Sequence, residues 1–188
     1  MPAETTYYPA IVLLLVLAAA SWTDIARHRI PNLLSLGGAF LGLALQAGTL
    51  GLGGLWDGLG GLGVGLGLFL PFYIIGGMGA GDVKLMAAAG SFLRPYDTLM
   101  AVAASLIAGG VIALVVLIAR GGLLPWLRRQ ALTLKYLLVT AKLSYITPVQ
   151  DEPAATRFPY AIAIAVGTVT ALWWLGRLEP FTTLIRNF

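Results

Sequence analysis

The sequence predicts an all-α membrane protein, a polytopic bundle of about six transmembrane helices with both termini outside. Three observations predict it. Of the 188 residues, 59% are hydrophobic and only 11% are charged, against about 25% charged in soluble domains. The apolar stretches reach the ~20 residues that a helix needs to cross a bilayer. Basic residues fall unevenly between the intervening loops, as the positive-inside rule requires. The whole chain, 1–188, reads as one membrane-embedded domain in the cell membrane, crossing it several times.

Composition also removes chemistry. The net charge of +4 is a loop bias, and no basic-aromatic face points to nucleic acid. There is no cysteine, which excludes disulfides, a thiol nucleophile and cysteine-ligated metal. The single histidine, His28, cannot form an H-E-x-x-H zinc site. It lies among arginines, and no G-x-S-x-G accompanies it. No cofactor or metal is expected. Carboxylate chemistry is what is left.

The first span runs from about Tyr7 to Thr23, with Tyr7, Tyr8 and Trp22 suited to the interfacial belts. Glu4 and the absence of an early Lys or Arg favour a retained span over a signal peptide. The loop Asp24–Asn32 carries Arg27 and Arg29 and reads as cytoplasmic. Pro31 suits the first turn of a new helix, where its missing N–H costs nothing. The second span covers about 32–50, and a glycine-rich outer turn with Trp56 and Asp57 comes after it.

The third span covers about 58–75. Its glycines four apart, Gly61 with Gly65 and Gly63 with Gly67, permit close helix contact. They lack the G-K-[ST] ending of a nucleotide loop. A glycine-rich loop then leads into a short apolar helix, about 82–93, which at 1.5 Å per residue reaches only ~18 Å. That is less than a hydrocarbon core, so Asp82 is expected to be recessed. Arg94–Asp97 forms an outer turn, and the fifth span covers about 98–119.

Residues 120–157 are the least apolar part. Arg128, Lys135 and Lys142 recur every seven residues beside an apolar face. This reads as a cytoplasmic amphipathic connection lying on the anionic leaflet. The sixth span covers about 158–175. Arg27, Arg29, Lys84, Arg120, Arg128, Arg129, Lys135, Lys142 and Arg157 then fall inside, and Arg94, Arg177 and Arg186 outside.

In this topology Asp24 and Asp82 reach the same membrane depth from the same side. Asp57 and Asp97 lie on the other side, and Asp151 and Glu152 in a solvated linker. An ionisable group at membrane depth is a functional-site candidate by default. Each acid alone also fits an interfacial charge paired with a nearby Arg or Lys. Two close carboxylates cannot both ionise. One can take a proton from water while the other, protonated, polarises a carbonyl. Asp24 lies at the carboxyl end of its span and Asp82 at the amino end of its helix. The helix dipoles therefore predict Asp82 as the ionised base and Asp24 as its protonated partner.

Gly79-Ala80-Gly81-Asp82-Val83-Lys84-Leu85 resembles the G-x-G-D-x-K-[LM] signature of the prepilin peptidases, or type IV leader peptidases, which are GxGD aspartic proteases. Asp24 to Asn32 resembles the family's first motif, an Asp followed by Ile-Pro-Asn. Pro159–Ala163 is similar to its apolar C-terminal segment. The resemblance implies Asp24 and Asp82 as catalytic residues, with Gly79, Gly81 and Lys84 shaping the loop or binding substrate. Lys84 has three candidate partners: Asp82, a lipid phosphate or the substrate. It implies a pilin-like precursor with a short basic leader and a hydrophobic helix, cleaved at the cytoplasmic face. No N-methyltransferase insert is seen, which resembles the short, peptidase-only form found with Flp/Tad-type pili and preflagellins.

Two other readings compete. A small ion- or proton-coupled transporter component would also hold intramembrane acids and glycine-broken helices, but no acid lies halfway across. A non-catalytic assembly partner would not need both aspartates. The topology makes a direct prediction. Single cysteines at Ala26 and Ala131 should be labelled from the cytoplasm and one at Leu178 from outside. The chain has no native cysteine to give background. Opposite labelling of Ala26 and Leu178 would overturn the orientation.

Overall fold

A computed structural model describes residues 7–121, 128 and 160–178. Among them are five helices and no strand: α1 (Tyr7–Arg27), α2 (Asn32–Ile74), α3 (Ala80–Gly90), α4 (Pro95–Ala119) and α5 (Tyr160–Trp174). Three of these are long and apolar enough to cross a membrane: Tyr8–Arg27, Asn32–Ile74 and Pro95–Ala119. The chain divides into two compact units, residues 1–109 with 159–188, and residues 110–158. The first unit holds α1, α2, α3, α5 and the first part of α4. The expected amphipathic connection, 120–157, lies outside the described residues apart from Arg120, Gly121 and Arg128.

Helix α1 runs four residues past the expected end at Thr23 and so carries Asp24 on the helix rather than in a loop. Leu13, Leu17, Ala20 and Asp24 form one buried stripe at spacings of three and four. The helix ends where His28 turns left-handed (φ 47°) and donates its N–H to the Asp24 carbonyl (2.8 Å). Histidine is among the residues that tolerate this region. Pro31, expected in the first turn of the next helix, is instead its cap. It is extended, and its carbonyl accepts the N–H groups of Leu34 and Ser35.

Helix α2 is broken at Gly51, where the backbone is non-helical (φ 65°, ψ −148°). Only glycine takes such angles without strain. The chain folds back there. A Cβ on Gly54 would strike the Gln46 carbonyl, and one on Gly58 would come within 3.0 Å of the Leu43 side chain. The reversal therefore falls earlier than the turn expected around Trp56 and Asp57, and both residues lie within the second arm. Side-chain bulk decides the position. The arms can cross only where one of them presents bare backbone.

Helix α3 begins at Ala80 and is covered all round, with every residue from Leu85 to Leu93 buried. The cover is made by backbone contact. A Cβ on Gly61 would land on the carbonyls of Gly90 and Leu93, and one on Gly65 would lie 2.6 Å from the Met86 carbonyl. Gly42 of the first arm sits against Ser91 and Phe92, and Gly38 lies beside Ala88 and Val16. Of the two glycine pairs expected to make helix contacts, Gly61 and Gly65 do so. Gly63 and Gly67 have nothing within 4 Å. Buried Gln46 donates to the Phe92 carbonyl (3.1 Å), satisfying an acceptor just past the end of α3.

Helix α4 starts with Pro95 at its first position, and α5 crosses it where Gly167 meets the Ser105 backbone. Phe69, Leu13, Leu17, Leu85, Met86 and Ile164 are the largest fully buried apolar side chains. Leu33, Phe40, Leu52, Trp173 and Trp174 are exposed, as suits surfaces solvated by lipid rather than water.

The contact of α2 with α3 sets a prediction. Gly61→Ala should destabilise the protein by more than the ~1–3 kcal/mol typical of overpacking, because the atoms it meets are backbone. Gly63→Ala should be neutral or stabilising by about 0.5–1 kcal/mol, since alanine is the better helix former. Thermal unfolding in detergent, read by circular dichroism, distinguishes them.

Candidate active site

The residues singled out by sequence come from three separate segments, and the fold brings them to one end of the first unit. Asp24 lies on the last full turn of α1 and is buried. Asp82 lies in the first turn of α3 and is partly buried. Their carboxylates are close enough to interact electrostatically. The register of each helix explains the meeting. Asp24 continues the buried stripe of α1, and Asp82 precedes the fully enclosed run of α3.

Each carboxylate is held through one oxygen by a backbone N–H. Gly79 donates to Asp82 Oδ2 (3.2 Å), an acid in the first turn accepting from the residue that caps its own helix. Ala161 donates to Asp24 Oδ2 (3.1 Å) from the first turn of α5. In both cases the other oxygen, Oδ1, takes no hydrogen bond among the described residues. Neither acid is in a salt bridge among these residues.

The surroundings of Asp24 include more than the dipole of its own helix. Asp24 does lie near the carboxyl end of α1, but its carboxylate meets the amino end of another helix. Both acids therefore receive helix-terminal N–H groups, which favour an anion.

Two further contacts bind the Asp24–Asn32 segment to the glycine-rich segment. A Cβ on Gly81 would stand 3.4–3.6 Å from the Ile30 side chain. Lys84 Nζ donates to Asn32 Oδ1 (2.9 Å). Of the three partners open to Lys84 on sequence grounds, Asp82 is not its partner among the described residues. Its hydrogen bond instead ties the Ile-Pro-Asn stretch to α3. The glycine-rich loop itself is short: Gly76 is left-handed (φ 78°), Gly77 N–H returns to the Phe72 carbonyl (2.8 Å), and α3 starts at Ala80.

The other acids are placed differently. Asp97 is buried and paired with Arg177 (3.1 Å), and Asp57 is paired with Arg94 (3.6 Å) on the surface. Both pairs lie at the end of the unit away from Asp24 and Asp82, beside a cavity of about 170 Å³ lined by Gln46, Thr49, Arg94 and Arg177 among others. Among the described residues, no three His, Cys, Asp or Glu side chains gather closely enough to hold a metal ion.

Sequence reasoning missed the part played by α5. Pro159–Ala163 carried a resemblance but no role. The structure places Ala161 N–H on Asp24 and Ser21 Oγ on the Ala161 carbonyl (3.4 Å). A backbone donor leaves no mark on side-chain identity, so only the motif's position beside a helix start could have signalled it.

Chemically, two carboxylates from different helices, each tethered by one oxygen and bare at the other, can hold and exchange a proton with a group between them. The contact of Gly81 with Ile30 yields a prediction on stability. Gly81→Ala adds a Cβ at ordinary contact distance and should melt within a few degrees of the parent. Gly81→Leu must push Ile30 aside, and overpacking of ~1–3 kcal/mol should lower the melting temperature clearly. Equal melting of the two would show that the segments are not packed together.

Searches of curated proteins and of solved structures gave no match. The model of the type IV leader peptidase family matches residues 11–114, more than half of the chain. That stretch holds most of α1, the Ile-Pro-Asn segment, both arms of α2, and α3 with its glycine-rich approach. With Asp24 and Asp82 both inside the matched region, the chain belongs to the type IV leader peptidase family.

Proposed function

We propose that this protein is a multi-pass aspartic endopeptidase of the GxGD type in the cell membrane. It removes the short basic leader from type IV pilin-like precursors, of Flp/Tad or preflagellin type, at the cytoplasmic membrane face. Asp24 and Asp82 are its catalytic residues, Gly79, Gly81 and Lys84 shape the loop, and no metal or cofactor is required. One observation carries the reading. The two acids lie on segments joined by the Lys84–Asn32 hydrogen bond and the Gly81–Ile30 contact, and among the described residues they are held by backbone N–H groups rather than by cations. An acid retained for charge pairing would resemble Asp97, which is locked to Arg177.

The chemistry comes from a pair that shares one proton. The ionised carboxylate takes a proton from water as the water oxygen bonds to the scissile carbonyl carbon. The protonated carboxyl gives its proton to the carbonyl oxygen. As the tetrahedral intermediate collapses, the C–N bond breaks, the first carboxyl returns its proton to the departing amine, and the second carboxylate takes back a proton from the hydroxyl that becomes the new carbonyl. The Oδ1 atoms are left for this task, since the Oδ2 atoms accept the backbone N–H groups. Tethering fixes the approach of both acids before substrate arrives, so less orientation has to be achieved at the transition state.

The glycine-rich approach to α3 suits the substrate. Bare backbone at Gly76, Gly77 and Gly79 lets an extended peptide come close. A basic leader is drawn to the anionic cytoplasmic leaflet, and the hydrophobic helix of the precursor stays in the bilayer. The cut then falls at the boundary between them, at the depth of the carboxylates. This placement rests on the six-span topology with both termini outside.

The test is co-expression with candidate pilin precursors, with leader removal read by mass spectrometry. Asp24→Asn and Asp82→Asn should each abolish cleavage while leaving folded, membrane-inserted protein. Asp57→Asn removes only an exposed ion pair, worth about 0–1 kcal/mol, and should keep near-normal cleavage. Gly79→Ala places a Cβ 3.1 Å from Asp82 Oδ2. It should shift that carboxylate and slow cleavage on the order of tenfold. Near-normal cleavage by Asp24→Asn would refute the pair as assigned.

A further inference from the structure

The start of α5 lies beyond the residues matched by the family model, yet it supplies the only hydrogen bond that Asp24 Oδ2 receives among the described residues. A backbone donor is only as well placed as the helix that carries it. Two side chains anchor the start of α5: Ser21, whose Oγ donates to the Ala161 carbonyl (3.4 Å), and Tyr160, its first residue. Tyr160 packs edge-on against Phe69, with ring centroids 6.1 Å apart and planes at 68°. Its hydroxyl donates to the Ser105 carbonyl (3.3 Å). On α4, a Cβ at Gly109 would fall 2.5–2.7 Å from three Tyr160 atoms, Cε2, Oη and Cζ. The ring fills the space that the missing side chain leaves. Phe69 is itself fully buried, on the second arm of α2.

We infer that Tyr160 is a positioning residue for the reaction. Its ring, lodged between Phe69 and the bare backbone of Gly109, sets the place of the Ala161 N–H and, through it, the orientation of the Asp24 carboxylate. The inference rests on the proposed role of Asp24. Tyr160 does not act on the substrate. It acts through Ala161, by holding Asp24 Oδ2 and leaving Oδ1 without a hydrogen bond among the described residues.

The contacts also rank the parts of the side chain. The edge-on ring contact and the fit against Gly109 are short-range and steric. The hydroxyl bond is long for an O–H donor, whose usual distance is about 2.7–2.8 Å. The ring therefore does the positioning, and the hydroxyl adds little.

The experiment uses the full chain in detergent or nanodiscs, with Tyr160→Phe, Tyr160→Leu, Gly109→Ala and Asp24→Ala. Two quantities are measured on each. The first is the hydrogen-exchange rate of the Ala161 amide, which needs no catalysis. The second is kcat and KM for leader removal. Tyr160→Phe should keep the amide protected and kcat within about twofold of the parent. Tyr160→Leu and Gly109→Ala should speed amide exchange, as Asp24→Ala does. They should lower kcat on the order of 10- to 100-fold, with KM changed by less than about threefold.

A merely structural role would lower the amount of folded protein but not the kcat of the folded fraction. Unchanged amide exchange in both Tyr160→Leu and Gly109→Ala overturns the inference. So does faster exchange with unchanged kcat. Failure of the broader reading looks different. Asp24→Ala would then cleave normally, while the Ala161 amide still responded to Tyr160.

Discussion

Helix α3 has 11 residues and at 1.5 Å per residue reaches only about 17 Å, little more than half of a hydrocarbon core. It carries an acid in its first turn. Neither the helix ends nor the acid can be left to lipid, where unsatisfied polar groups cost several kcal/mol each. The rest of the first unit is built to cover it. The second arm of α2 lays Gly58, Gly61 and Gly65 against its backbone, and the first arm adds Gly42 and the Gln46 amide. Close approach without side chains is how membrane helices gain packing energy when lipid tails remove the hydrophobic incentive. The break at Gly51 answers the same demand, because both arms must reach one short helix.

Covering α3 in this way leaves its amino end as the place where chemistry can be done. That end meets the last turn of α1 and the first turn of α5, and each contributes one part. From α1 comes Asp24, and from α5 the N–H that holds it. Lys84 and Asn32, with Gly81 and Ile30, close the seam between the two motifs. The opposite end uses its acids differently, pairing Asp97 with Arg177 and Asp57 with Arg94. Burial of an ion costs several kcal/mol unless it is compensated. One end compensates with cations, which quench an acid. The other compensates with backbone N–H groups, which leave half of each carboxylate able to react.

Much of the site is legible in the residues. The stripe Leu13, Leu17, Ala20 and Asp24 keeps the helical period, so the direction in which Asp24 points is written in the sequence. A boundary at Thr23 misses it, because a charge after an apolar run looks like the end of a span. Gly61 with Gly65 is readable as a contact pair. Gly63 with Gly67 is equally plausible on spacing, which does not say which face of a helix has a neighbour. Polarity suggests a loop at Trp56 and Asp57, yet the turn forms at Gly51. In a membrane protein the reversal goes where backbone can cross backbone, and an interfacial Trp-Asp pair can remain helical.

The sequence by itself determined the all-helical class of fold and the family, and singled out the two acids as candidates. Hydropathy, helical period and the G-x-G-D-x-K spacing are local properties, carried by residues near one another in the chain. Only the tertiary structure decided how the acids are held. Gly79 reaches Asp82 across three residues, but Ala161 reaches Asp24 from 137 residues away. That second bond uses an amide N–H that nearly every residue possesses. Such a donor acquires meaning only from the position of its helix, and that position depends on a ring fitting where Gly109 has no side chain.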